Sequence, residues 1–121
     1  MKINNKLMKP IVSSCSYNTS VFKTPYVNKL IRTGNVVEIT FQAQINAQPS
    51  GNTNIIIDLP TAAKGSDAPI LSFVSDVRYA LGSGSSTKQC WVFDAKNIRT
   101  DNGLLVADKW FYVNYIYITT D

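Results

Sequence analysis

The chain has 121 residues, room for one domain, with 45% hydrophobic and 17% charged residues and a formal net charge of +4. No run of 18 or more apolar residues exists, so no membrane association is expected, and the start MKINNKLMKPIVSS has no apolar core for a Sec-type signal peptide. The absence of histidine removes Ser-His-Asp and Cys-His catalysis, histidine metal sites and the usual general base near neutral pH.

The basic charge is concentrated at the N-terminal end. Lys2, Lys6, Lys9, Lys23, Lys29 and Arg32 precede the first acid, Glu38, while the remainder is slightly acidic. Residues 1–16 therefore read as a basic flexible or docking segment, and residues 17–121 as the domain proper. Such a segment can touch nucleic acid, but a soluble arm that docks on a neighbour is the plainer reading. Cys15 and Cys90 are too few for a disulfide scaffold, and Cys90, between Gln89 and Trp91 in a predicted strand, reads as a buried free thiol.

In chain order, Phe22, Tyr26 and Leu30 recur through an extended stretch interrupted by Pro25, which places it at an edge or a bulge. Thr33-Gly34-Asn35 signals a tight turn into the clearest strand, Asn35 to Ala47. There Val37, Ile39, Phe41, Ala43 and Ile45 alternate with Glu38, Thr40, Gln42 and Gln44. Together they predict a hairpin over Tyr26–Ala47. A short strand from Thr53 to Leu59 follows, stopped by Pro60, and then a surface loop from Thr61 to Pro69. Ile70–Leu81 is the next strand, with Leu71, Phe73, Val77 and Tyr79 in one register. After a Gly-Ser turn, Lys88–Ile98 carries Trp91 and Phe93 on one face and Cys90 and Val92 on the other. Asp101-Asn102-Gly103 marks a hairpin-type turn.

The terminal run WFYVNYIYITTD predicts a last strand apolar on both faces. Trp110, Tyr112, Tyr115 and Tyr117 are its expected interface residues, with a core on one side and a partner chain on the other. Six or seven strands without a sustained 3.6-residue period imply an all-β fold, an antiparallel sandwich or barrel.

No catalytic residue emerges. The carboxylates Glu38, Asp58, Asp76, Asp94, Asp101 and Asp108 show no spacing that singles out a glycosidase pair. Asp101, Asn102 and Asp108 lack the full ligand alternation of a calcium loop, two cysteines cannot build a zinc site, and Gly82-Ser83-Gly84 lacks the lysine of a phosphate loop. No metal, no cofactor and no enzymatic activity are expected.

Two motifs carry a family likeness. Arg32-Thr33-Gly34-Asn35-Val36-Val37-Glu38-Ile39, followed by Asp58-Leu59-Pro60, resembles a pattern of bacteriophage structural proteins in which a "GNVV" strand leads into one ending in "LP". The close at Tyr117-Ile118-Thr119-Thr120-Asp121 looks like that of the same proteins. Over Tyr17 to Asp121 the chain is similar to receptor-binding head domains of tail-fibre and baseplate proteins from phages of Gram-positive bacteria. The resemblance implies a β-sandwich or jelly-roll-like head, commonly a homotrimer. It also implies assembly with other tail or baseplate proteins in the bacterial cytoplasm, a place at the virion tail tip or fibre, and adhesion to host surface saccharide. It assigns no saccharide-contacting residue.

The expected ligand site comes from residue chemistry instead, since sugars are held by an aromatic platform with planar polar side chains. Asp76, Arg78 and Tyr79 with Trp91, Asp94, Asn97 and Arg99 lie on two strands joined by the Gly-Ser turn, and pairing of those strands would gather them at one end. The plainer alternative makes Trp91 and Phe93 core and the acids solvated. A purely structural virion component (collar, adaptor or decoration protein) is the second functional reading. An OB-like single-stranded nucleic-acid binder is a third, disfavoured by the slightly acidic body.

Overall fold

Nine strands form a single antiparallel sheet: β1 Ile11–Ser13, β2 Ser16–Tyr17, β3 Val27–Thr33, β4 Val36–Gln44, β5 Thr53–Ile57, β6 Ala68–Ser75, β7 Ser85–Phe93, β8 Asn97–Thr100 and β9 Trp110–Ile118. The computed structural model describes residues 9–49, 51–65, 68–78, 85–100 and 105–121, with backbone alone over 85–89. Every regular element among them is a strand, as expected for the all-β class.

The sheet runs in the order β1-β3-β4-β9-β6-β7-β8-β5-β2. Its two edge strands, β1 and β2, are neighbours in sequence, separated only by Ser14 and Cys15. The chain from Ile11 to Tyr17 therefore steps from one edge to the other, and the sheet must curl to let it. Asn28 fixes the crossing. Its Oδ1 accepts from the Cys15 N–H at 2.7 Å and its Nδ2 donates to the Cys15 carbonyl at 2.9 Å. The segment expected to be flexible or docking, residues 1–16, thus supplies β1 and half of β2 from its described part.

The β3–β4 hairpin appears as read from the alternation, with Thr33 paired to Val36 across a two-residue connection. Gly34 sits there at φ +61°, a conformation that suits glycine at the first central position of such hairpins. Period-2 patterning then sends Val37, Ile39, Phe41 and Ala43 into the fully buried interior. Phe41 packs against Phe22 at 5.0 Å between ring centroids and against Tyr17 at 5.6 Å, and Phe22 meets Phe111 of β9 at 5.3 Å. These tilted and edge-on contacts join both halves of the curled sheet. A bulge between Asn54 and Ile56 lets consecutive residues, Ile55 and Ile56, both reach the interior.

Two expectations change. The strand expected over Lys88–Ile98 is two, β7 and β8, reversing at Asp94-Ala95-Lys96. No glycine announced this turn, because Asp94 and Ala95 themselves adopt φ of +53° and +58°. The turn is held by the rest of the fold: the Ala95 and Lys96 carbonyls accept from Ala62 N–H at 2.7 Å and Leu59 N–H at 2.8 Å. The strand expected over Ile70–Leu81 is β6, which ends at Ser75; its interior face is Ile70, Ser72 and Val74, and Leu71 and Phe73 share the outward face. The Asp101–Gly103 turn lies outside the described residues.

Both thiols are free and buried. Burial pushes the Cys15 thiol up from 9.0 to about 12.

Two measurements test this account. Ala95→Gly is expected to stabilise the fold by about 1 kcal/mol in urea denaturation, since glycine carries no Cβ penalty at positive φ; a loss of stability would contradict the turn geometry. The raised Cys15 value makes folding depend on alkaline pH. Below pH 9 the thiol is protonated in both states and contributes no slope. Above it the unfolded chain releases the proton first, so stability should fall by up to about 1.4 kcal/mol per pH unit. Half-buried Tyr115 and buried Tyr117, both shifted upward by desolvation, add to the loss at higher pH. Between pH 9 and 10 the slope should be absent in Cys15→Ala, and an unchanged slope would assign it elsewhere.

Candidate functional site

The nine-pair ladder between β4 and β9 decides what faces outward. Glu38, Thr40 and Gln42 stand beside Ile116, Asn114 and Tyr112, and Phe73 of β6 stands beside Tyr112. Between these rows lies a groove of about 410 Å³, lined by Thr40, Gln42, Leu71, Phe73, Tyr112 and Asn114 together with Phe41 and Val113.

Its polar side is organised by Asn114. The Nδ2 donates toward the Thr40 hydroxyl at 2.9 Å, Glu38 Oε2 at 3.1 Å and the Ile39 carbonyl at 3.2 Å. With the amide nitrogen so engaged, its oxygen is left as an acceptor on an exposed residue. The apolar side is Phe73, half-buried, with Leu71, 66% exposed.

One end is walled by the segment Asp76–Arg78. The Tyr112 hydroxyl donates to the Val77 carbonyl at 2.8 Å, and Gln42 Nε2 donates to the Arg78 carbonyl at 2.5 Å. The Arg78 guanidinium lies 4.3 Å from the centre of the Tyr26 ring and 5.6 Å from that of Trp110. Asp76 pairs with Lys109 at 3.4 Å, an exposed bridge that contributes little to stability.

The residues expected to form one ligand cluster divide into two groups. β6 and β7 do pair, but Ser75↔Ser85 lies at one end of the ladder and Ala68↔Val92 at the other. An eight-residue strand is about 26 Å long. Asp76 and Arg78 sit at the first end, beside Tyr26 and Trp110. Trp91, Asp94, Asn97 and Arg99 sit at the second, where Trp91 pairs with Arg99 and the Arg99 guanidinium covers Phe93 at 4.4 Å. Asp94 occupies the positive-φ turn, which aspartate tolerates well, and Asn97 accepts from the Asp58 N–H at 3.2 Å. Trp91 is half-buried, and Tyr79 lies outside the described residues.

The expected interface residues all lie on β9. Tyr112 and Tyr117 are buried within the chain, Trp110 is half-buried beneath Arg78, and Tyr115 stacks on Tyr117 at 5.1 Å and 18°. The second face of β9 is covered at Trp110 and Tyr112 by the chain's own Asp76–Arg78 segment. Its exposed apolar residues are Ile116 and Ile118, at 58% and 49%.

Asn114, Thr40, Gln42 and Phe73 were not among the residues expected at a site. The signal was present in Asn114, the single polar residue inside the run WFYVNYIYI, which the ladder sets beside the wet face of β4. Among the described residues no group of three or more potential metal ligands occurs. No protein-family model matches the chain, and neither the curated proteins nor the solved structures contain a match.

Proposed function

We propose that the protein is a non-enzymatic adhesion module of the phage tail-fibre or baseplate type, holding a host-surface saccharide in the outward groove. The observation that carries this reading is the pairing, across one concavity, of Phe73 and Leu71 with the hydrogen-bonded Asn114 and Thr40. A pyranose has that dual character, with apolar C–H faces and a rim of hydroxyls that donate and accept. A small number of convergent polar groups beside an apolar wall is the usual composition of a ligand site. The GNVV hairpin and the all-β sheet fit the same reading.

Host-cell retention and glycan-array binding test it. The double variant Phe73→Ala and Asn114→Ala is expected to weaken binding at least tenfold, about 1.4 kcal/mol, while Arg99→Ala at the far end leaves it unchanged. Loss of binding in Arg99→Ala alone would move the site to the Trp91 end, and no retention by the native chain would remove adhesion.

In the same reading the protein assembles as a homotrimer, and one exposed apolar surface that could serve it is the Val36–Ile118 cross-strand pair. Light scattering is expected to give three times the 13.4 kDa chain mass, falling to a single chain in Val36→Lys with Ile118→Lys. A native mass of 13.4 kDa would remove self-assembly of this chain from the reading.

A further inference from the structure

Between β9 and β6 the sheet opens. The two strands pair from Trp110↔Ser75 to Val113↔Ser72, and beyond that point Ala62 meets β9 again only at Thr119. The opening is a cleft of about 580 Å³ whose lining includes Ala62, Lys64, Pro69, Tyr115, Ile116 and Ile118.

The direction of the main chain follows from hydrogen bonds at both ends of β9. On the β4 side, Lys109 O accepts from Ile45 N–H and Thr119 N–H donates to Asn35 O. On the opposite side, Ile118 O accepts from Ala63 N–H and Thr120 N–H donates to Thr61 O. Odd-numbered residues thus turn their peptide groups to β4, and even-numbered residues turn theirs to β6 and the cleft. Ile116 is the even-numbered residue in the middle of the opening, and its N–H and C=O meet no partner among the described residues.

We propose that this cleft receives an extended peptide segment of a partner protein, which pairs with the main chain of β9 at Ile116 and carries an acidic side chain to Lys64. An unpaired donor and acceptor on one strand residue are the complement of another strand, and edge pairing of this kind is a general mode of peptide recognition. The alanines along the loop side leave room for the guest's side chains, and the stacked Tyr115–Tyr117 pair offers them an apolar surface. Lys64 is the one charged residue among those described in the lining, so charge complementarity selects an acid. The opening on the β6 side, from Asn114 to Ile118 with Ile116 at its centre, spans about five residues of extended chain.

The test uses a labelled, acetylated six-residue peptide of alternating valine and threonine with one aspartate, and a twin N-methylated at alternate residues. Fluorescence polarisation is expected to show saturable binding of the first, at least about tenfold weaker binding to Lys64→Glu, and loss of binding for the twin, which keeps its side chains but not its donors. Hydrogen exchange at the Ile116 amide should slow when the first peptide is added. Equal binding of the twin, unaltered Ile116 exchange, undiminished binding to Lys64→Glu, or no saturation by about 1 mM, where the binding free energy is only about 4 kcal/mol, overturns the proposal.

Discussion

The pairing of β4 with β9 is the constraint on which the rest of the molecule depends. Nine consecutive residues of each strand are matched, from Val36↔Ile118 to Gln44↔Trp110. Because side chains alternate with period 2, one such ladder assigns every residue of both strands to a face. It sends Phe41 and Phe111 inward to the ring cluster, and Thr40, Gln42, Tyr112 and Asn114 outward to the groove. A slip of one residue would exchange the two sets, exposing two phenylalanines and burying an asparagine and a glutamine. The penalty is large on both faces, so the register is strongly specified.

The ladder alone does not close the sheet. Closure comes from the N-terminal segment, where β1 and β2 take opposite edges and Asn28 clasps the peptide unit of Cys15 between them. Curling around the Phe22–Phe41–Phe111 contacts then makes the outer surface the available one for recognition. The groove survives on that surface because Asp76–Arg78 does not continue as strand. Instead it lies across Tyr112 and Gln42, its Val77 and Arg78 carbonyls accepting from them, and raises a wall.

Elements with clean alternation were legible in the sequence. Val37 to Ala43 against Glu38 to Gln42 gave strand, face and hairpin together, and the terminal run was rightly read as a strand. What failed did so for identifiable reasons. Asp94-Ala95 makes a turn without glycine, because carbonyls of the turn accept from Leu59 and Ala62, contacts far away in sequence. In β6 both registers are similarly apolar, so Ile70-Ser72-Val74 and Leu71-Phe73 could not be ranked before their neighbours were known. The expected ligand cluster assumed that residues near a shared turn stay together. A turn gathers only what flanks it, and Trp91 to Arg99 flank the next one. The groove combines β4, β6 and β9, three strands distant in the chain, and no local pattern joins Thr40, Phe73 and Asn114.

The terminal strand carries two independent alternations, and they explain why one segment serves two recognition surfaces. Side-chain parity puts Tyr112 and Asn114 in the groove and Ile116 and Ile118 on the surface. Main-chain parity, set by the same ladder, turns the peptide groups of the even-numbered residues away from β4. Where β6 is present, as at Tyr112, those groups are used up in the sheet and only side chains remain for a ligand. Where β6 has diverged, at Ile116, the peptide group itself becomes the recognition element. The class of ligand proposed for each surface follows from this difference: a saccharide reads side-chain amides and hydroxyls beside an aromatic ring, whereas a strand edge reads another backbone. The point at which β6 leaves β9, just past Val113, therefore separates the two.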